Sequence, residues 1–242
     1  MPTPPPALAE ILAAEEPKTI DDVIDRLHEL NAALDAADGV SWFVKLYLEV
    51  TEAVGVAIVP GAFRDPAFLA RLDVTFATLF FDALRRATRD PSKTPKAWAP
   101  LIEARGERDI APIQFALAGM NAHINHDLPV ALVSACEAAG VDLEHADREH
   151  ADFERVNGLL QATEARVKRW FATGFVGVVD EALGDVDDRI AMWNVARARE
   201  AAWVQAQALW ALRAVPKLRV AMLDTLGHVV GFAGRGLLVP AA

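Results

Sequence analysis

The chain has a single cysteine, Cys136, and a single tyrosine, Tyr47, among its 242 residues. One thiol excludes an internal disulfide and any thiolate zinc cluster. Its neighbours Val133, Ala135 and Ala138 mark it as a small buried apolar residue rather than an activated nucleophile. Basic charge is scarce too: 24 Lys and Arg face 34 Asp and Glu, a formal net charge of -10. That balance repels a phosphate backbone unless a basic patch intervenes. The densest basic stretches, RVKRW at 166–170 and Arg85-Arg86, are flanked by acids in a helix-like pattern and read as solvated faces, so nucleic acid is not an expected partner. No apolar run reaches the ~18 to 20 residues needed to cross a bilayer. The opening MPTPPPALAEILAAEEP lacks the basic start and apolar core of a secretory signal, and a cytoplasmic protein without a membrane partner is expected. Strand signals are nearly missing, because the β-branched clusters VAIVPG and FVGVV are short and lack hairpin turns. There is no Gly-x-Ser-x-Gly nucleophile motif, and GFAGRG at 231–236 has phosphate-loop spacing without a preceding strand or a long following helix.

What remains is apolar and helical. Hydrophobic residues make up 53% of the chain and charged residues 24%, a globular composition. Its length suits one large domain. Phe43, Tyr47, Val50 and Val54 recur at three- and four-residue spacing, as do Phe68 or Leu69, Leu72, Phe76 and Phe80. The second stripe opens with Asp65-Pro66, an N-cap followed by a first-turn proline. Further helices are expected over about 19–37, 109–128, 129–139, 146–172 and 185–213, broken at Gly39, Pro60-Gly61, Pro91 to Pro95, Gly140, Gly184 and Pro216. The segment 89–100 reads as a long loop crossing the bundle, with Trp98 needing a buried place. No repeat of solenoid length is visible. The fold class is therefore all-α, a single-domain multi-helix bundle over 19–242 behind a flexible proline-rich leader at 1–18.

The polar residues that break this pattern are the candidate site. In FALAGMNAHINHDLPVAL, residues 115–131, His123 lies four residues before Asp127 and three before His126, so all three share one arc of a helix. Met120, Gly119 and Ala116 continue that arc as a packed face, which turns the cluster inward. A buried carboxylate needs a cation, a histidinium or hydrogen-bond donors beside it. Pro129 cannot donate to the carbonyl of Asn125, so the helix should kink there and leave a free acceptor beside the cluster. Asp73 sits on the inward stripe between Leu69 and Phe76, and Tyr47 lies on the buried stripe of its own helix. Trp193, Arg197, Glu200, Trp203, Gln207 and Trp210 run down another face, where Arg197 is suited to neutralise a buried acid or hold an anionic substrate. His150, Asp152 and Asn157 follow in DREHADFERVN; His150 and Asp152 are only two apart, so at most one of them joins the cluster. His28, His145 and His228 lack neighbours of matching type and are assigned to the surface or to local packing.

LDVTFA at 72–77, GMNAHINHDLP at 119–129, DFERVN at 152–157, and Arg197 followed by Trp203 carry a resemblance. Together they resemble an uncharacterised family of bacterial helical proteins, a domain of unknown function whose hallmark is the Asn-Ala-His-Ile-Asn core. The likeness runs from Asp38-Gly39 to about Trp203. It implies a single all-helical domain with His123, Asn125, Asp127, Asp152 and Arg197 as the matching polar positions, and it implies no reaction.

Three functions compete. In the first, His123 and Asp127, aided by Asp73 and by His126 or Asp152, hold one divalent metal (Zn, Fe or Mn) and activate water or polarise a substrate oxygen, with Arg197 and Tyr47 in contact with the substrate. A hydrolase or lyase acting on a small, partly apolar molecule follows. A di-iron site is disfavoured because no pair of Glu-x-x-His runs occurs; Glu144-His145 has the wrong spacing. In the second, His123 is oriented by an acid and performs metal-free acid–base chemistry. In the third, the cluster is structural, in a helical ligand-binding or scaffold protein.

Overall fold

The computed structural model describes residues 6–58, 61–174 and 194–240, the side chains of 6–7 and 162–174 excepted. Trp193, FVGVV, Gly184 and the beginning of the helix expected over 185–213 lie outside the described residues, as does Pro60.

The described residues are helical and hold no strand. In chain order the helices are α1 (Pro6–Ala13), α2 (Ile20–Ala33), α3 (Gly39–Ala57), α4 (Pro66–Arg89), α5 (Ala99–Ala104), α6 (Pro112–Ala122), α7 (Leu128–Ala139), α8 (Asp147–Gly174), α9 (Val195–Ala211) and α10 (Pro216–Leu237). Their ends follow from local chemistry. Thr19 and Asp22 form a reciprocal capping box on α2, Asp38 caps α3 through Val40 N–H, and Asp65 caps α4 through Phe68 N–H with Pro66 in the first turn. Gly140 ends α7 in the left-handed region at φ 67°, which a side chain would resist. No helix among the described residues is long and apolar enough to cross a membrane.

Two large apolar clusters, together with a small third one of Leu46, Ile113, Ala116 and Leu117, form the interior among the described residues. One joins α1, α2, α3, the second half of α4 and α5 through residues such as Leu27, Phe43, Phe80, Phe81 and Trp98. The other joins the first half of α4 to α7, α8 and α9 through Leu69, Leu132, Phe153, Trp203 and Leu209. Met120 of α6 packs against both. Residues 6–13, read from the sequence as part of a flexible leader, are instead a helix whose Leu8 and Leu12 are fully buried. Two apolar residues four apart suffice to dock one short helix, despite the prolines before it.

α6 and α7 are one rod interrupted at His123–Asp127 by a π turn, in which Leu128 N–H donates to the His123 carbonyl five residues back. The kink expected at Pro129 takes this form. A wider turn absorbs the residue whose N–H is missing and keeps the rod continuous, where an α-helical register would leave the proline ring against a carbonyl. The wide turn also brings His123 and Asp127 almost into line along the rod, so their side chains meet.

Glycines set close approaches around this rod, Gly39 against the Phe115 ring among them. A Cβ on Gly119 would overlap the Phe43 ring, and one on Gly231 would overlap the Lys96 carbonyl oxygen. GFAGRG therefore lies within α10 as a packing surface against the 89–98 segment. Gly119→Ala should cost about 1–3 kcal/mol by forcing Phe43 off its seat. Urea unfolding of the variant checks this, and an unchanged midpoint would show that α3 yields freely at that contact.

Candidate functional site

Asp127 is 4% exposed and lies where the two apolar clusters meet. Its carboxylate is held by three donors. Trp98 Nε1 donates to Oδ2 at 2.9 Å, His123 Nδ1 lies 3.2 Å from the same oxygen, and His126 Nδ1 lies 2.8 Å from Oδ1. The place that Trp98 needed is therefore beside this acid, delivered by the 89–98 segment as it enters α5. Burial alone would raise the Asp127 pKa, but the hydrogen bonds and charges of His123 and His126 outweigh it and hold the carboxyl below its usual range. For His123 burial dominates over the attraction of Asp127, and the imidazole is pushed below its ordinary value. A neutral His123 must donate through Nδ1 to the carboxylate, which leaves Nε2 with a bare lone pair. That Nε2 is buried and has no hydrogen-bond partner among the described residues.

Aromatic rings enclose His123. Phe76 stacks on it with centroids 3.4 Å apart and planes 6° off parallel, and Tyr47 meets it edge-on at 4.6 Å. Phe43 and Trp98 stand at 5.6 and 5.9 Å. Tyr47 and Phe76 present their other sides to a pocket between α3, α4, α7, α8 and α9, partly open to solvent, with a cavity of about 70 Å³. Most of its lining is aliphatic, including Val54, Leu72 and Leu128. The polar groups are the exceptions: Tyr47, Thr51, Asp73 and Arg199.

Two of these are orphans. Tyr47 Oη and Asp73 Oδ2 are buried without a hydrogen-bond partner among the described residues. Burial pushes the Asp73 carboxyl up to about 7. Burial, then the charges of Asp73 and Asp127, push the Tyr47 hydroxyl well above its usual range against a smaller opposing effect of the neighbouring Thr51 hydroxyl, so it stays protonated and can only serve as a neutral donor or acceptor. Arg199, 8% exposed, gives Nε to Asn157 Oδ1 at 2.7 Å and Nη2 to the Phe153 carbonyl at 2.8 Å, and its guanidinium lies 3.9 Å over the Phe153 ring. No acid pairs with it among the described residues. Burial pulls it down to about 9, so it remains charged at neutral pH.

The structure thus gathers His123, His126, Asp127, Tyr47 and Asp73 in one region, split into an acid–imidazole cluster, reached by solvent only at His126, and a pocket that share the Tyr47–Phe76 wall. It leaves out Asp152 and Arg197. Asp152 is buried but accepts the N–H groups of Arg64 at 3.0 Å and Asp65 at 2.6 Å, fastening the start of α4 to α8. Arg197 is exposed, and its backbone N–H is bound by the Asn194 cap. The stripe drawn through Arg197, Glu200 and the tryptophans is inward only in part, since Trp203 and Trp210 are buried while Arg197 and Glu200 are exposed. α9 buries Arg199, Ala202, Trp203, Ala206, Leu209 and Trp210, and the two alanines, which let α9 approach α7, were the signal for that face. Arg199 was therefore missed.

The metal-ligand set expected from the sequence does not assemble. Asp127 already accepts from Trp98, His123 and His126, Asp152 holds two backbone amides away from this cluster, and Asp73 forms no common group with the histidines. The one His/Asp/Glu group of three or more with converging ligand atoms among the described residues is His150, Glu154 and Glu200, within 4.8 Å of one another near the surface. His150 is stacked on Trp203 at 4.4 Å and lies 3.2 Å from Glu200. His28, His145 and His228 are exposed beside Glu52, Asp142 and Asp224, as the sequence suggests. Cys136 is fully buried and its thiol is pushed up to about 12, out of reach of thiolate chemistry.

Fold and site define an all-helical domain built around a buried acid–imidazole–indole cluster beside a small aliphatic pocket. The chain belongs to a family of unknown function, DUF5995, whose model matches residues 20–240. No curated protein and no solved structure matches it.

If Trp98 stabilises the buried charge of Asp127, Trp98→Phe removes one charge-assisted hydrogen bond while keeping the aromatic volume nearly filled. A loss of about 1.5–3 kcal/mol is expected in chemical denaturation at neutral pH. The loss should shrink as the pH falls through the depressed Asp127 pKa, because the protonated carboxyl no longer depends on the donor. A penalty independent of pH would show that only ring packing was lost.

Proposed function

We propose that the protein is an acid–base enzyme that acts on a small, partly apolar molecule in the pocket beside Tyr47 and Phe76, by chemistry that needs no metal. One observation carries the reading: two buried polar atoms without partners among the described residues, Asp73 Oδ2 and Tyr47 Oη, line a mostly aliphatic pocket. Leaving such groups unpaired costs about 1–3 kcal/mol each, and a substrate oxygen or proton would satisfy both. Asp73, with a pKa of about 7, is poised to accept and return a proton near neutral pH. Tyr47 donates to a substrate oxygen where negative charge develops. His123, fixed by Asp127, supports the Tyr47 ring from behind and acts as a positioning residue. Together these groups suit proton abstraction next to a carbonyl, the opening step of an isomerisation or of a lyase-type elimination. The hydrolase reading would need an activated water or nucleophile, for which the pocket offers Asp73 alone.

A second reading, a ligand-binding protein without turnover, is favoured by the saturation of Asp127 by internal donors and by the small size of the cavity. Deuterium wash-in separates the two. Short ketones, aldehydes and oxo-acids are incubated with the protein in D₂O and followed by proton NMR. The enzyme reading expects exchange at carbon next to the carbonyl, rising with pH to a plateau above about 7, and at least 10²-fold slower in Asp73→Asn. If no compound exchanges faster than in buffer, the reading falls.

Asp73 also makes a prediction for stability. Its folded-state pKa, about 7, lies above the ordinary 3.8, so between those values the folded chain binds the proton more tightly than the unfolded one. The stabilisation it lends is complete below about 3.8 and is lost as the pH rises towards 7. Asp73→Asn should flatten that decline in a pH series of thermal midpoints. Parallel curves for the two proteins would show that the carboxyl is not the perturbed acid described here.

A further inference from the structure

Arg199 is a buried cation without a counter-ion among the described residues. It lines the pocket, it is almost fully buried, and no carboxylate pairs with it among the described residues. A guanidinium in that setting has given up most of its hydration and recovered only a neutral amide oxygen, a carbonyl and a ring face. The geometry of those contacts is specific. Nε and Nη2 are committed to Asn157 and Phe153, which pins the plane of the group, and none of the described residues accepts from Nη1. Asp73, in the same pocket, forms no ion pair with it. The chain therefore keeps an acid and a guanidinium in one small cavity without letting them neutralise each other.

We infer that the pocket takes a short-chain carboxylate, with its anionic head on Nη1 of Arg199, its aliphatic body against Val54, Leu72 and Leu128, and an oxo or hydroxyl oxygen within reach of Tyr47 and Asp73. This rests on the pocket being a ligand site and deepens the reading above, but it does not need turnover. Each part of such a molecule meets a group that otherwise lacks a partner. The anion answers the unpaired cation, the chain covers aliphatic walls, and the second oxygen meets the two orphaned atoms. A small neutral molecule would leave the cation uncompensated, and an amine would face it with like charge. The cavity, about 70 Å³, favours a body of a few carbons over a fatty-acid chain. Because only Nη1 is free, the head is gripped by one end of the fork rather than by the bidentate clamp of a fully available arginine.

The test compares acids with their amides on the wild-type protein. Straight-chain carboxylates from acetate to octanoate, their 2-oxo derivatives, and the matching primary amides are titrated by calorimetry or ligand-observed NMR at pH 7. The expected result is at least about tenfold tighter binding of an acid than of the amide of equal length, the ratio set by one charge-assisted hydrogen bond. Affinity should peak at a short chain, and 2-oxo acids should bind more tightly than the plain acids. Arg199→Gln should bring acid and amide to within about twofold of each other. Equal binding of acid and amide by the wild type overturns the inference, as does an undiminished preference for the acid in Arg199→Gln. Should that variant fail to fold, the wild-type comparison decides alone. Acid binding without deuterium wash-in leaves this inference standing and removes the enzyme. Wash-in of neutral ketones with no preference for acids removes this inference and leaves the enzyme.

Discussion

The burial of one charge, the Asp127 carboxylate, organises the centre of this protein. An isolated carboxylate in an apolar interior costs several kcal/mol even after relaxation. Here the cost is offset by donors from two separate parts of the chain: the Trp98 indole, carried in by the segment before α5, and two imidazoles from the same helical turn. That demand explains features which look unrelated in isolation. The π turn exists where His123 and Asp127 must come into line, and Pro129 makes the wider turn the favourable one. Gly119, one turn earlier, lets Phe43 close over the imidazole, and Phe76 stacks on its face. Remove the acid and the indole of Trp98 loses its partner as well.

A polar interior of this kind does two different jobs on its two sides. Towards α5 and α6 the Asp127 carboxylate is engaged by three donors, with His123 Nε2 the one atom of that cluster left without a partner among the described residues, and these bonds fix how the α6–α7 rod meets α3 and α4. Towards the pocket, groups of equal strength are left open: a carboxyl oxygen, a phenol and a guanidinium with one free nitrogen. Interiors seldom leave several such groups unpaired within one cavity, since each adds its own desolvation penalty. The contrast across the Tyr47–Phe76 wall is therefore the functional signal. On the function proposed above, the engaged side belongs to the scaffold and the open side to a ligand.

The His123–Asp127 pair invites comparison with metal sites, because imidazole and carboxylate four apart on a helix are common ligands. Hydrogen-bond accounting argues otherwise. A carboxylate that already accepts from an indole and two imidazoles has little left for a cation, and Asp152, the most deeply buried of the other acids put forward, is consumed by backbone amides at the start of α4. Ligand spacing in a sequence shows which residues can meet, while their remaining partners decide what is left to bind.

By itself the sequence determined the all-helical class, the Asp65-Pro66 start of α4, the inward direction of His123 and Asp127, and the burial of Tyr47. Those properties follow from short-range periodicity, capping and proline geometry, which a single chain displays directly. The oddity of Pro129 and the homeless Trp98 were legible as problems, though not as a π turn and an indole donor: the acceptor for the indole lies 29 residues further on, and a proline permits a kink, a break or a wider turn alike until its neighbours pack. Only the tertiary structure decided that Arg199 rather than Arg197 faces inward, that Asp152 is a fastening rather than a ligand, and that residues 6–13 dock as a helix. The rotation of α9 depends on how closely Ala202 and Ala206 let it approach α7, and a two-residue shift in that rotation exchanges a solvated guanidinium for a buried one. Burial and partnership are properties of surfaces from distant segments, so the chemistry at the pocket became defined only once those segments had packed.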